Sequence, residues 1–280
     1  MMHLGLIGYP LGHSLSPKIH SAALNACGLQ GEYSLFPIAP DDTQGLKDLL
    51  SRMRNGEIHG LNVTIPHKQN VIPLLDELTP TAHAIGAVNT ISVRNGKLVG
   101  DNTDAPGFLT DLGGLIGSRH GRKAARQTSE VSKALVLGAG GSARAVVYAL
   151  VHDGWDVTLS ARRLEQAQQL ATIYHLPITK LPFPDSQLPA FDLLVNTTPL
   201  GMAPNVDTSP WPEHLAFPKD AAVYDLVYNP HETKLVRDAR AAGLAARTGL
   251  GMLIEQAALA FEIWTGRKPP REILFQQVVE

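Results

Sequence analysis

Lys68 closes the segment NVTIPHK, and Asp104 lies in GDNTDAPGF. A lysine and an aspartate projecting from strand ends form a pair able to move a proton and balance developing charge, and in open α/β sheets such ends line the ligand crevice. Each residue also has a plainer reading. Pro66 suits a first helical position, which puts Lys68 in the first turn of a helix, the unfavourable end for a cation; it is either a surface lysine or one with a partner. Asp104 sits at a strand-to-helix junction with Pro106 close behind, where an aspartate is an ordinary cap.

A second group is GYPLGHSLSPKIH, with Ser14 and Ser16 two positions apart. In an extended segment both hydroxyls point the same way, and Pro17 makes Ser16 a natural N-cap, so together they suit a carboxylate. The third group is KALVLGAGGSARAVVYAL from Lys133. An apolar strand, a glycine-rich turn (Gly138, Gly140, Gly141, Ser142, Ala143) and a helical pattern place backbone N–H groups and a helix dipole against a pyrophosphate. The next strand runs into Ala161-Arg162-Arg163. An NAD-preferring fold would end there on a carboxylate for the ribose 2′-hydroxyl; two guanidiniums instead favour a 2′-phosphate, hence NADP, the alternative being an arginine merely solvated at a helix start.

Short apolar runs alternate with helix-period segments along the chain. Strands are predicted at 3–7, 32–38, 60–63, 134–137, 156–160, 192–196, 222–226 and 244–248. Helices are predicted at 17–27, 41–54, 141–153, 164–174, 232–242, 251–265 and 270–278. This spacing argues for βαβ units and the α/β class: an N-terminal three-layer α/β domain with a mostly parallel sheet, and a Rossmann-type dinucleotide-binding domain. Asn95-Gly96, between AVNTISV and KLVGDN, predicts one antiparallel hairpin. The polar, basic stretch 117–133 reads as a solvated linker with the boundary in or just before it. The division is residues 1–110, completed by helices in 250–280, and residues 111–249.

With 280 residues, 44% hydrophobic and 18% charged, the chain can bury ordinary cores and is too large for a stapled mini-protein. A net charge of −2 gives no bulk reason to bind nucleic acid or a membrane surface. No stretch is long and clean enough to span a bilayer, and the lone Cys27 forms no internal disulfide. The expectation is a cytoplasmic protein acting on small molecules. His13, His20 and His67 are not at metal-ligand spacing with other donors, so no metal is expected.

The motifs resemble those of one family in its order: SLS, NVTIPHK, GAVNT, the NTD of GDNTDAPGF, GAGGSAR, NTTPLGM from Asn196, DLVYNPHETKL from Asp225 and GLGMLIEQAALAF from Gly249. They are similar to the shikimate dehydrogenases over nearly the whole chain. The resemblance implies reversible NADP-dependent reduction of 3-dehydroshikimate to shikimate, a step towards chorismate and the aromatic amino acids. It also implies that Lys68 and Asp104 are the catalytic pair. Ser14 and Ser16 would bind the substrate carboxylate, with Thr64, Asn89, Tyr228 and Gln256 completing the pocket. The glycine turn would cradle the pyrophosphate, and Arg162, with Arg163 beside it, would hold the 2′-phosphate. Asn196, Thr197 and Thr198 would line the nicotinamide side near Gly249 and Met252. The resemblance leaves room for a homodimer. Family members commonly read Asn-Arg-Thr at positions 161–163, and the basic 117–133 segment is longer than the family leads one to expect.

Two other functions compete. A quinate or quinate/shikimate dehydrogenase shares most of these motifs, but paralogues using quinate and NAD tend to lack the arginine at position 162. A non-catalytic NADP-binding sensor on the same scaffold would not need Lys68 and Asp104 together.

Overall fold

A computed structural model describes residues 1–123, 131–180 and 190–279. The chain divides into two compact units, Met1–Gly107 with Leu253–Glu280, and Phe108–Met252.

The first unit contains β1 (Met2–Gly8), α1 (Ser16–Ala26), β2 (Gly31–Pro37), α2 (Thr43–Arg54), β3 (Gly60–Val63), β4 (Glu77–Leu78), α3 (Pro80–Ile85), β5 (Thr90–Arg94) and β6 (Lys97–Asp101). Helix α4 (Asp104–Lys123) starts here and continues into the second unit. The sheet order is β2-β1-β3-β5-β6-β4. Strands β2, β1 and β3 run parallel, and β5 turns back antiparallel to β3 and β6. The reversal is the Asn95-Gly96 hairpin: both residues have positive φ (52° and 76°), the conformation a two-residue turn of matching twist requires. Leu46, Leu49, Leu50 and Met53 form one apolar face of α2 that packs on Ile7, Leu61, Ile91 and Leu98 of the sheet.

The second unit is built from β7 (Lys133–Leu137), α5 (Gly141–His152), β8 (Asp156–Ala161), α6 (Leu164–Tyr174), β9 (Ile178–Lys180), β10 (Leu193–Asn196), β11 (Ala222–Asp225), α7 (Lys234–Ala241) and β12 (Ala245–Thr248). From it α8 (Leu250–Thr265) returns to the first unit, where α9 (Arg271–Val279) follows. Its sheet is wholly parallel, in the order β12-β11-β10-β7-β8-β9. Chain order therefore reverses between β7 and β10, the topological switch point of a doubly wound dinucleotide-binding sheet. Residues 134–137 and 193–196 are all buried, as expected for central parallel strands covered on both faces.

Several local expectations need correction. No helix follows Pro66: residues 65–71 form consecutive turns leading to a single 3₁₀ turn at Ile72–Leu74, so Lys68 stands in a turn and not in a helix's first turn. The predicted extended run at Ser14 to Ser16 is absent, because Leu15 has helical φ and ψ and is itself the residue preceding α1. Ser16 is consequently the first helical residue and not the cap; its N–H meets the Ser14 hydroxyl at 3.2 Å. The stretch from Gly117 is not all linker, since α4 continues to Lys123, while 124–130 lies outside the described residues. The small elements β4, α3 and β9 were not predicted. Two or three residues, or a single turn of helix, give too short a window for periodicity to register.

Candidate active site

In the first unit, the carboxy ends of β1, β3 and β6 and the start of β5 come to one edge of the sheet. The loop leaving β1 carries Ser14 and leads to Ser16 at the start of α1, and the one leaving β3 carries Thr64 and Lys68. The two loops touch: Thr64 N–H donates to the Ile7 carbonyl, and a Cβ built on Gly8 would lie 2.3 Å from the Thr64 methyl. Glycine at position 8 is what lets them approach.

Lys68 Nζ donates to Asp104 Oδ2 at 2.6 Å, and both side chains are buried. The alternative role for Asp104 as a cap is taken by Asn102, whose Oδ1 accepts from the N–H groups of Asp104 and Ala105 at 3.1 and 3.3 Å. With another side chain satisfying the start of α4, the Asp104 carboxylate is left to face Lys68. Its other oxygen, Oδ1, accepts from Asn89 Nδ2 at 2.9 Å. Asn89 Nδ2 also donates to Thr103 Oγ1 at 2.9 Å and to Gln256 Oε1 at 3.3 Å, which brings α8 to the pair. Asn89 Oδ1 accepts from Thr103 N–H at 2.8 Å. Lys68, Asp104, Asn89 and Gln256 thus form one connected polar group, held at fixed distances by backbone anchors.

Beneath Ser16, one turn along α1, His20 is 1% exposed and neither ring nitrogen has a hydrogen-bond partner. Burial pushes its pKa down to about 3. The folded protein binds fewer protons than the unfolded chain between pH 3 and 6.5, so this group withdraws stability as pH falls through that window. Asp225 in the second unit works oppositely. Burial raises its pKa to about 6, so the folded state binds more protons from about pH 4 to 6 and stability declines as pH rises across that range. Because the two oppose each other between about pH 4 and 6, a variant isolates the first. His20→Phe should gain about 3 kcal/mol relative to the parent between pH 7 and pH 4, at about 1.4 kcal/mol per pKa unit, measured by urea unfolding at both pH values. A difference that does not change with pH would show that His20 is not held neutral.

In the second unit the glycine turn joins β7 to α5 at the switch point. Gly138 has φ 116°, and a Cβ there would lie 2.4 Å from Thr197 Oγ1, so only glycine fits. Gly140 is the exposed residue preceding α5 and has open space on its Cβ side. Gly141, Ser142 and Ala143 form the first turn of that helix. The first turn of a helix points its backbone N–H groups out of the helix end, and such a donor set suits a pyrophosphate. At the carboxy end of the neighbouring β8, Arg162 and Arg163 are both exposed. Neither makes an ion pair among the described residues, and no carboxylate occupies the place where an NAD-type site would have one. These residues fit an NADP molecule, its diphosphate on the turn and its 2′-phosphate at the arginines.

The loop after β10 abuts this turn. Thr197 donates through Oγ1 to the Leu137 carbonyl at 2.7 Å. Asn196 is fully buried: Nδ2 donates to Asp225 Oδ1 at 2.8 Å, and Oδ1 accepts from Thr198 N–H at 2.9 Å and its hydroxyl at 2.7 Å. Its side chain is spent on shaping the loop. Asp225 ties in the next loop through Val227 N–H and Thr233 Oγ1. Gly249 lies so close to the Leu226 carbonyl that a Cβ would come to 2.5 Å, and Met252 is buried early in α8. Tyr228 is half-buried in the loop after β11. Asp225 opens one of the motifs above but is given no role there. Its signal was a carboxylate closing an otherwise apolar buried strand, AVYD.

The sequence matches two family models: the shikimate dehydrogenase substrate binding domain over residues 6–91, and the shikimate 5′-dehydrogenase C-terminal domain over residues 249–278. It is also 42% identical over 274 residues to the NADP(+) shikimate dehydrogenase of Shouchella clausii, covering 96% of this chain and 95% of that protein. The chain belongs to the shikimate dehydrogenase family. Two solved shikimate dehydrogenases share the architecture. One, solved with NADP+, is 35% identical with a TM-score of 0.88, over 100% of this chain and 95% of its own. The other, from Thermus thermophilus with NADP(H) and shikimate, is 38% identical with a TM-score of 0.84, over 100% and 99%. Within a shikimate dehydrogenase, the buried Lys68–Asp104 pair lies in or just beyond the segment matched to the substrate binding domain.

Proposed function

We propose that Lys68 and Asp104 are the acid–base pair of an NADP-dependent shikimate dehydrogenase. The chain is an oxidoreductase acting on a CH–OH group, and its reaction interconverts 3-dehydroshikimate and shikimate. The observation that carries the residue assignment is the 2.6 Å contact of two buried, oppositely charged side chains at the mouth of the sheet.

When bound, the nicotinamide supplies or accepts the hydride. The protein's part is the proton and the charge. As the ketone is reduced, Lys68 Nζ stabilises the negative charge growing on oxygen and delivers the proton that makes the alcohol; Asp104 fixes the direction of Nζ. Oxidation runs through the same contacts in reverse. Asn89 holds Asp104 in place and, with Gln256 and Thr64, meets substrate hydroxyls. Ser14 and Ser16, at the start of α1, take the carboxylate, where the helix dipole adds to their hydroxyls. Tyr228 completes the substrate contacts from its loop. Gly138, Gly140, Gly141, Ser142 and Ala143 hold the diphosphate, and Arg162 with Arg163 reads the 2′-phosphate. Thr197, Thr198, Gly249 and Met252 shape the nicotinamide end, with Asn196 acting through the loop it orders.

On this reading residues 1–110 with 250–280 form the substrate-binding, catalytic domain and 111–249 the NADP-binding domain. Its soluble small-molecule substrates and single cysteine suit the cytoplasm. The test is spectrophotometric: purified protein mixed with shikimate and NADP+ should form NADPH, and no turnover would refute the activity.

A further inference from the structure

Behind Asn89 and Asp104 lie three polar side chains, Tyr33, Asn62 and Thr90, without a task in the mechanism above. Tyr33 on β2 reaches across β1 to β3, where its hydroxyl donates to Asn62 Oδ1 at 2.8 Å. Asn62 Nδ2 faces the other way, donating to the Asn89 carbonyl at 3.2 Å and to Thr90 Oγ1 at 3.4 Å. Thr90 Oγ1 donates to Asn89 Oδ1 at 3.0 Å, and Asn89 Nδ2 donates to Asp104 Oδ1 at 2.9 Å. Every donor in the series points towards the carboxylate. All four intermediate and terminal side chains, Asn62, Thr90, Asn89 and Asp104, are at most 5% exposed.

The head of the series is itself clamped. The His20 ring lies flat on Tyr33, centroids 4.4 Å apart and planes 3° from parallel, and Trp264 and Phe261 of α8 close over His20. Trp264 rests on Gly60, where a Cβ would meet the indole at 2.5 Å, and its Nε1 donates to the Ile91 carbonyl at 3.0 Å. Burial raises the Tyr33 pKa well above its ordinary value, so the hydroxyl remains a donor at every working pH.

We propose that Tyr33 is a positioning residue for the reaction: its hydroxyl starts a one-way hydrogen-bond relay through Asn62, Thr90 and Asn89 that sets the Asp104 carboxylate against Lys68. Aligned hydrogen bonds polarise one another, and a buried amide oxygen that loses its donor must turn or shift to find another. Removing the Tyr33 hydroxyl leaves Asn62 Oδ1 in that position, and the movement passes to the two atoms by which Asn62 touches Asn89 and Thr90. The inference rests on the assignment of Lys68 and Asp104 as the acid–base pair.

The test is Tyr33→Phe, which removes one oxygen and keeps the ring stacked on His20, assayed beside Asn62→Ala and the double variant. The relay predicts that kcat for shikimate oxidation falls about tenfold in both single variants while KM for NADP+ stays within about twofold; because the Tyr33 hydroxyl also meets the Ser16 side chain, KM for shikimate is compared in Asn62→Ala, which leaves that contact in place and should hold it within about twofold. It also predicts that Tyr33→Phe costs nothing further in the Asn62→Ala background, because both act through one path. A variant that melts earlier but keeps the parent kcat has lost only packing, and overturns the relay. So does a fall in kcat that adds in full to that of Asn62→Ala. Lys68→Ala, run alongside, separates the two levels: unchanged turnover there removes the pair and the relay together, whereas an enzyme that needs Lys68 and ignores Tyr33→Phe removes the relay alone.

Discussion

Lys68→Ala lowers kcat for shikimate oxidation about a thousandfold while shikimate continues to bind, within the range expected for loss of a positioned general acid–base. The size follows from where Lys68 stands. Nζ is 2.6 Å from Asp104 Oδ2, and the carboxylate is held from its other side by Asn89, so the protein's own contacts set the pair. The serines and amides proposed for the carboxylate and hydroxyls remain in the variant, so affinity should survive where chemistry does not. Alanine also leaves Asp104 buried without its cation, a destabilising change of about 3–5 kcal/mol. Lys68→Met keeps the length of the side chain and should show the same kinetic loss. Both variants are measured by steady-state NADPH formation, with shikimate binding followed by calorimetry. Parent-like turnover in either folded variant would take lysine out of the mechanism.

The second large effect is on cofactor choice. Arg162→Ala should raise KM for NADP+ about 10–100-fold and leave KM for NAD+ within about twofold, corresponding to the loss of a charge-assisted contact of about 1.5–3 kcal/mol. Arg162 leaves the carboxy end of β8, exposed and without an ion pair among the described residues, so the variant breaks no internal contact. Arg163 occupies the position preceding α6 and caps nothing with its side chain. Arg163→Ala measured in parallel tells which guanidinium carries the discrimination. Equal losses for NADP+ and NAD+ at both positions would mean that neither reads the 2′-phosphate.

What could be read in advance follows a physical division. The turn from β7 into α5 was legible because a continuous apolar run, glycines and a helical period coincide within a dozen residues, and each demands the same local geometry. The Asn95-Gly96 hairpin was legible for the same reason: the turn type dictates its residues. Lys68 and Asp104 could be nominated as a pair, but the geometry of their contact could not be read locally. Their contact spans 36 positions and depends on Asn102 taking over the cap of α4, which nothing in the local pattern announces. Pro66 misled because proline marks both helix starts and tight turns, and residues 65–71 took the turn. Asn62 and Tyr33 stayed hidden inside strands whose alternation reads as ordinary burial; only the sheet order, which places β2 and β3 on either side of β1, brings them within 2.8 Å.

A shikimate dehydrogenase with two arginines after β8 should choose its cofactor by the 2′-phosphate. The most direct measurement is kcat/KM of the purified protein for shikimate and for quinate, each with NADP+ and with NAD+. Shikimate with NADP+ should exceed every other combination by about tenfold or more. A preference for quinate with NAD+ would contradict it.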